Sequence, residues 1–394
     1  MSERRRAAPN RRRIAVATTS RADFGIYQPV LAELAASDSI EFGLIAGGSH
    51  LMPEHGSTIS HVRASGFPVW GEAPIRFEGG VLGVARMMGE SLTAFGEAID
   101  EIRPDMLLTI GDRFEMFAAA AAASPFALPV AHIHGGEETE GAVDNMYRHA
   151  MTKMAHVHFC ATPLSARRIV QMGEAPENVH VTGAPSLDGI SDIPLLSRQA
   201  LSERFGFPEA PYILTTYHPE TLQPDATASD FDALLAALER SGQHVAFSRP
   251  NADAAGDLFN SRLEQAVAAN PRFRICDNLG RVGYFSAMAN AALMVGNSSS
   301  GIIEAASFHL AVVNVGGRQA GRERSANVID VAAEPDAILS AIQRSLSPET
   351  AATMRSVENV YGDGHASQRI RSVLEIMDLG SGLIRKRFRL LDKS

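Results

Sequence analysis

Titratable side chains gather behind two predicted strands in the first half of the chain. Asp112 follows one apolar run, His134 and Glu137 follow the next, and Asp144 begins the helical stretch beyond them. Histidine and carboxylate groups placed together can remove a proton and return it, provided that their surroundings separate their pKa values. We therefore predict that Asp112, His134, Glu137 and Asp144 form a centre of acid–base catalysis. The sequence leaves open which of them is the base and which the acid.

A metal site is the alternative interpretation of the same segment. His132 and His134 lie at one strand end and lack the spacing of an HxxxH pair on a helix. Imidazole and carboxylate groups also serve as zinc ligands, so their types alone do not decide the question. Because two histidines, two glutamates and an aspartate gather here beside flexible glycines, we predict proton-transfer groups and no metal.

A second polar cluster lies in the other half of the chain. Residues 296–301 read Gly-Asn-Ser-Ser-Ser-Gly, after an apolar run and before a helical stretch. Free N–H groups at a helix start and serine hydroxyls are donors that suit a diphosphate. An ordinary serine N-cap needs fewer of them. We predict that Ser298, Ser299, Ser300 and Gly301 bind phosphate, although neither a GxGxxG nor a GxxxxGK[ST] motif occurs.

Further polar residues also follow predicted strands. They are Arg21, Arg113, His218, Asn251 and Arg318. Arginine offers paired donors to phosphate, and the proline after His218 favours an extended backbone that holds the ring at the strand tip. We expect these residues to contact the ligand.

Short apolar runs alternate with stretches of helical spacing along most of the chain. This alternation is typical of parallel sheets covered by helices on both faces. It stops over residues 184–201, which are predicted to form a linker or crossover, and then restarts. The sequence therefore predicts an α/β protein with two Rossmann-like, doubly wound parallel-sheet domains facing a cleft. Ligands of such sheets bind at the carboxyl ends of the strands.

Charge and composition argue against several classes of partner. Lys and Arg number 36 against 45 Asp and Glu, so the net charge is −9 and nucleic acid is not an expected partner. No apolar run approaches the roughly 18 residues of a membrane span, and the arginine-rich start lacks the apolar core of a secretory signal. With only Cys160 and Cys276, a disulfide framework is not expected. We predict a cytoplasmic protein.

Seven motifs, in order, resemble those of one enzyme family. They are residues 20–25 (SRADFG), 111–113 (GDR), 132–137 (HIHGGE), 148–153 (RHAMTK), 218–221 (HPET), 296–301 (GNSSSG) and 318–322 (RQAGR). Together they resemble the hydrolysing UDP-N-acetylglucosamine 2-epimerases of the bacterial sialic-acid and capsule type. The resemblance implies a glycosyltransferase-B fold, a homo-oligomer (a dimer or tetramer), and a reaction without metal or cofactor.

The resemblance also suggests a division of the chain. We expect a flexible basic arm over residues 1–13, a sugar-binding and acid–base domain over 14–190, and a UDP-binding domain over 191–365. Residues 366–394 would hold a helix that returns to the first domain, and the tail. The residues placed at the nucleotide or sugar are Arg21, Arg113, His218, Asn251, Ser298, Ser299, Glu304 and Arg318. Among them, His218 and Arg318 would contact the diphosphate and Glu304 the ribose hydroxyls.

The implied reaction converts UDP-N-acetylglucosamine and water to N-acetylmannosamine and UDP. The C2 hydrogen of such a sugar is not acidic until the C1–O bond to the diphosphate weakens. A base would take this proton as UDP leaves, giving 2-acetamidoglucal, and an acid would protonate C2 as water adds. By resemblance Asp112, His134 and Asp144 are catalytic. Many relatives carry glutamate in place of His134, so the resemblance leaves open whether His134 or Glu137 is the base.

Other functions fit the same residues. The enzyme could act on a related diacetamido sugar linked to UDP or GDP, or it could return UDP to the glucal as a non-hydrolysing epimerase. A glycosyltransferase on the same fold would need an acceptor and would leave the C2–H bond intact. A sugar-nucleotide-binding regulator would bind without turnover, with the basic arm contacting nucleic acid or a partner.

Overall fold

A computed structural model describes residues 11–53, 56–140, 143–218, 224–248, 256–277 and 279–390. The chain divides into two compact units. The first unit contains the described residues up to Glu137, then Asp144–Asp188 and the part from Gly362 onward. The second contains Glu138–Val143 and Gly189–Tyr361. No helix in these described ranges is long and apolar enough to cross a membrane.

The first unit is built on a seven-stranded sheet. Its strands are β1 (Arg12–Thr18), β2 (Ile40–Gly47), β3 (Val69–Ala73), β4 (Met106–Ile110), β5 (Val130–Ile133), β6 (Val157–Cys160) and β7 (Val179–Val181). They are ordered β3-β2-β1-β4-β5-β6-β7, and neighbouring strands are parallel. The central strands are buried along their whole length, as expected for a sheet covered on both faces.

Helices connect these strands. They are α1 (Arg21–Ala35), α2 (Ile59–Ala64), α3 (Gly80–Ile102), α4 (Phe114–Ala123), α5 (Asp144–Met154) and α6 (Pro163–Gln171). Two helices near the end of the chain, α14 (Ala366–Ile376) and α15 (Ser381–Ile384), also belong to the first unit. α14 packs against α1, where Arg371 forms an ion pair with Glu33 at 2.6 Å.

The second unit is built on a six-stranded parallel sheet ordered β10-β9-β8-β11-β12-β13. Its strands are β8 (Tyr212–Thr216), β9 (His244–Phe247), β10 (Phe273–Ile275), β11 (Leu293–Gly296), β12 (Val312–Val315) and β13 (Val328–Val331). Its helices are α7 (Arg198–Phe205), α8 (Pro224–Ser241), α9 (Gly256–Ala269), α10 (Gly280–Asn290), α11 (Ser299–Ile303), α12 (Pro335–Ser345) and α13 (Pro348–Met354). Ile213 and Leu214 join apolar clusters on opposite faces of this sheet, because alternate residues of a strand point in opposite directions.

The prediction of two doubly wound parallel sheets is confirmed, but two strands were missed. β3 and β13 lie at the edges of their sheets and are largely half-exposed, so neither produces a continuous apolar run. The predicted linker over residues 184–201 was also wrong in part. It contains two short 3₁₀ turns, Pro185–Leu187 and Ile190–Asp192, and the start of α7.

Candidate active site

Arg21 is the first residue of α1, at the carboxyl end of β1. Ser20 and Asp23 form a capping box that starts the helix at Arg21. The buried Asp23 carboxylate accepts hydrogen bonds from the Thr18 hydroxyl at 3.0 Å and the Thr19 N–H at 2.9 Å. This network fixes the turn and leaves Arg21 exposed at the strand end.

The turn after β4 carries Asp112 and Arg113. Arg148, on α5, donates a hydrogen bond to the Asp112 carboxylate and forms an ion pair with it. Arg113 donates to both carboxylate oxygens of the buried Glu115, at 3.2 and 3.1 Å. Glu115 raises the pKa of Arg113, and Asp144 adds to this effect. Two arginines therefore lie among the carboxylates at this strand end.

A side chain of the neighbouring strand β5 also stabilises the turn after β4. His132, in β5, is fully buried, and burial lowers the pKa of its ring to about 3. The neutral ring donates from Nε2 to the Gly111 carbonyl at 2.8 Å. His132 thus positions the residue before Asp112.

His134 and Glu137 form a buried pair at the end of β5. His134 Nδ1 lies 2.6 Å from Glu137 Oε1. This contact orients the imidazole and directs Nε2 away from the carboxylate, as in other carboxylate–histidine pairs. The backbone of His134 has φ +64°, a left-handed conformation that a non-glycine residue seldom adopts. Such strain at a buried polar residue is typical of functional sites.

Asp144 is the first residue of α5. Burial, and after it the nearby Asp112 carboxylate, raise the pKa of its carboxyl group to about 6. Arg113 and Arg148 act in the opposite direction. A carboxyl group with a pKa near neutrality can donate or accept a proton at physiological pH. The structure thus brings Asp112 and Asp144 together, with His134 and Glu137 at the adjacent strand end.

Asn297 organises the polar residues of the second unit. Its side chain accepts from the His218 N–H at 2.6 Å and donates to the His218 carbonyl at 2.8 Å. Its own carbonyl accepts from Arg318 at 3.1 Å and from Gln319 at 2.8 Å. Burial, and after it the positive charge of Arg318, lower the pKa of His218 to about 3. Arg318 therefore supplies positive charge, while His218 offers a neutral N–H donor.

The serines follow Asn297 directly. Ser298 is the N-cap of α11, and its Oγ accepts from the Ser300 N–H at 3.3 Å. The capping interpretation is therefore correct for Ser298, whose hydroxyl hydrogen can still be donated to a ligand. α11 has only five residues, so its dipole is weak. Ser299 and Ser300 begin the helix, and Gly301 packs closely against Val312 of β12.

Tyr284 is a candidate ligand contact that sequence reasoning missed. It lies on α10, and burial raises the pKa of its phenol, while the hydroxyls of Thr216, Ser300 and Ser298 act in the opposite direction. The Glu304 carboxylate also lies near the phenol. Tyr284 therefore joins the serine segment to Glu304. No local sequence signal marks it, because helix periodicity gives a tyrosine the same appearance as a core residue.

Asn251, the remaining predicted residue, lies outside the described residues, as do positions 219–221 of the His218 motif. The other predicted residues fall into two sets, one in each unit. The first set combines acid–base groups with arginines, and the second combines hydroxyls, a buried amide and an arginine. The first set can transfer protons, and the second can bind an anion.

Gly296 sets the conformation of the second set. Its φ is +149°, and a Cβ atom there would lie 2.1 Å from the Thr216 carbonyl oxygen. We expect Gly296→Ala to lower the free energy of unfolding by about 2–4 kcal/mol, because strand β11 would have to move away from β8. Chemical denaturation measures this change. Gly317→Ala is the control, since a Cβ atom there meets no atom within 4 Å. Equal stability of the two variants would contradict this role for Gly296.

The family model for UDP-N-acetylglucosamine 2-epimerase matches residues 32–375. A Legionella pneumophila protein named UDP-N,N'-diacetylbacillosamine 2-epimerase (hydrolyzing) is 38% identical over 377 residues, which are 95% of this chain and 98% of that protein. A Neisseria meningitidis protein named UDP-N-acetylglucosamine 2-epimerase is 33% identical over 341 residues, 85% of this chain and 88% of that protein.

A solved structure shows the same fold. The crystal structure of UDP-GlcNAc 2-epimerase from Neisseria meningitidis bound to UDP-GlcNAc has a TM-score of 0.79 at 17% identity. The match covers 92% of this chain and 99% of that one. The predicted fold class, two Rossmann-like domains of the glycosyltransferase-B type, is thereby confirmed.

Proposed function

Since the chain belongs to the UDP-N-acetylglucosamine 2-epimerase family, we propose that it is a hydrolysing 2-epimerase of a UDP-linked 2-acetamido sugar, and that this sugar is N,N'-diacetylbacillosamine. The relative from Legionella, with the higher identity and coverage of the two described above, supports this substrate. The sequence alone favoured UDP-N-acetylglucosamine, which is retained as the second candidate because of the relative from Neisseria.

Both candidate substrates require the same chemistry. A base takes the C2 proton, the C2–H electron pair forms a C1=C2 double bond, and the C1–O bond breaks with its electrons leaving on UDP. The oxygen of a water molecule then bonds to C1 while the C1=C2 electron pair takes a proton from an acid on the other face of C2. The proton that the water loses restores the acid, and the base releases the original C2 proton to solvent. The products are UDP and the free 2-epimer. The reaction therefore needs a stabilised leaving group and two separately tuned proton-transfer groups.

The observation that carries this proposal is that the first unit holds two proton-transfer groups in different surroundings. Asp144, with a pKa near 6 beside Asp112, is suited to giving a proton to C2. The His134–Glu137 pair, at 2.6 Å, is suited to removing one, since Glu137 stabilises the imidazolium that forms. We assign His134 as the base and Asp144 as the acid. Asp112 would orient the sugar, held in place by Arg148.

The second unit would stabilise UDP as it leaves. Arg318 supplies the charge, and His218, Ser299 and Ser300 supply neutral donors. Charge-assisted hydrogen bonds contribute about 1.5–3 kcal/mol each, so we expect Arg318→Met to weaken UDP binding by roughly 10- to 100-fold. Calorimetric titration with UDP measures the loss. Arg240→Met is the control, because Arg240 pairs only with the exposed Asp336 among the described contacts. Equal UDP affinity in the two variants would contradict the assignment of Arg318.

Turnover of the purified protein tests the proposed function. The two sugar nucleotides are incubated separately with the enzyme, and UDP and the sugar products are followed by proton NMR. We expect stoichiometric UDP and 2-epimer from UDP-N,N'-diacetylbacillosamine, at a higher kcat/KM than from UDP-N-acetylglucosamine. The reverse preference would move the assignment to the second substrate. Tight binding without release of UDP from either would contradict an enzymatic role.

A further inference from the structure

After α15, the chain continues as a basic segment along the first unit. We call residues 385–389 (Arg-Lys-Arg-Phe-Arg) the C-terminal strap, which lies beyond residues 32–375 that match the family model. Its far end is fixed at Gly173, whose carbonyl accepts from the Arg389 N–H at 3.1 Å, and at Glu177, which pairs with Arg389. The strap is thus bound to the turn that follows α6.

Lys386 connects the strap to the end of α5. Its ammonium group has three N–H donors. The ammonium nitrogen lies 2.7 Å from the Lys153 carbonyl, 2.5 Å from the Ala155 carbonyl and 2.8 Å from a Glu174 carboxylate oxygen, with the Thr152 carbonyl farther away at 3.5 Å. The last carbonyls of a helix lack partners within the helix, and a cation there also interacts favourably with the helix dipole. Lys386 therefore caps α5 from outside the helix.

Glu174 is the buried anchor of this contact, with a side chain only 4% exposed. It also accepts from Lys153, on the last turn of α5, at 2.5 Å, and His158 lies 3.4 Å away. Burial by itself raises the pKa of Glu174, but the hydrogen bonds from His158, Lys153 and Lys386 hold it at about 2. Phe388 lies over the Lys153 ammonium at 4.9 Å. The end of α5 is thus held by a buried carboxylate, and the strap completes the set of contacts.

The opposite end of α5 carries the proposed chemistry. Asp144 is its first residue, and Arg148 on the same helix holds Asp112. An α-helix rises about 1.5 Å per residue, so Lys386 acts about 15 Å from Asp144 through a single rigid element. A shift of α5 along its axis would move Asp144 and release Asp112 together. Misplacement of catalytic groups by about 1 Å can lower a rate by up to 100-fold.

We propose that Lys386 is a positioning residue for catalysis, which holds the acid–base helix α5 in register through the C-terminal strap. This inference rests on the proposed function, because it assigns Lys386 an effect on turnover. Lys386 does not contact the predicted site residues in the described structure. It acts through the carbonyl end of α5.

Three full-length variants test this inference. Lys386→Met removes the ammonium group and keeps the aliphatic length, and Lys386→Arg keeps the charge. Arg387→Met is the matched control, because Arg387 makes no hydrogen bond or ion pair with the residues that the structure describes. We measure kcat, KM, the Kd for UDP and the midpoint of thermal unfolding for each. We also measure hydrogen exchange of the α5 amides.

We expect K386M to lower kcat about tenfold with UDP affinity unchanged, because the second unit binds UDP and only the first unit is disturbed. Exchange of the α5 amides should rise, K386R should retain most of the activity, and R387M should match wild type. Wild-type kcat in K386M would overturn the proposal. So would a parallel loss of kcat, UDP affinity and folded protein, which indicates a merely structural role. A wild-type enzyme without turnover would instead refute the proposed function, and this inference with it.

Discussion

Asp144→Asn should lower kcat by about 10²- to 10⁴-fold while UDP affinity stays close to that of wild type. The amide has almost the shape of the carboxyl group but cannot deliver a proton at neutral pH. If Asp144 is the acid of the second step, the variant should still perform the elimination. We therefore expect release of UDP and accumulation of the unsaturated 2-acetamidoglucal intermediate, both visible by NMR.

The control for this variant is Asp100→Asn. Asp100 lies on α3 with a side chain that is 64% exposed, and its described ion pair is with the neighbouring Arg103. We expect wild-type turnover from it. Normal turnover of D144N would contradict the assignment of Asp144. A D144N variant that releases no UDP would show that Asp144 acts in the first step.

The same substitution should stabilise the fold at neutral pH. The pKa of Asp144 is about 6 in the folded chain against an ordinary value of 3.8, so ionisation is disfavoured only in the folded state. Ionisation of Asp144 therefore lowers the free energy of unfolding. This loss grows as the pH rises from about 4 to about 6 and reaches its full value of about 1–3 kcal/mol above pH 6. D144N should therefore unfold at higher urea concentration at pH 7.5, and the gain should disappear at pH 4. Lower stability of D144N at pH 7.5 would contradict this picture of the site.

His134→Asn should lower kcat by a similar factor of about 10²–10⁴, but at the first step. Asparagine tolerates the left-handed backbone at this position better than other residues, so the loop should keep its conformation. Without the imidazole, the C2 proton stays in place. We expect no UDP release and no glucal, and calorimetry should show normal UDP binding.

D144N, in contrast, is expected to release UDP and accumulate the glucal, so comparing the products of the two variants tests both assignments. If H134N accumulated the glucal and D144N released no UDP, Asp144 would be the base and His134 the acid. Near-normal turnover of H134N would make Glu137 the better candidate for the base.

The strand ends were predictable from sequence because buried parallel strands are continuous apolar runs. Asp112, His134 and Glu137 could be placed at adjacent strand ends in this way. The edge strands β3 and β13 were missed because most of their residues are only half-buried, so neither forms a continuous apolar run. The pattern of apolar residues in a sequence indicates which residues are buried. It does not indicate which residues form the hydrogen bonds of a sheet.

Contacts between distant residues could not be predicted. The Asn297 side chain locks the His218 backbone across 79 positions, and Arg148 reaches Asp112 across 36. Both partners were visible as polar residues, but their pairing depends on how the strands are ordered in the sheet. The raised pKa of Asp144 could not be predicted either, because it depends on burial in the folded chain and on Asp112, which is distant in sequence.

Turnover in D₂O probes the central claim most directly, since the account requires C2 to lose its own hydrogen and gain one from solvent. Mass spectrometry and NMR of the released hexosamine should show one deuterium at C2 and inverted configuration there, with one UDP formed per sugar. Protium kept at C2 in a product of inverted configuration, or release of a sugar with its configuration unchanged, would contradict it.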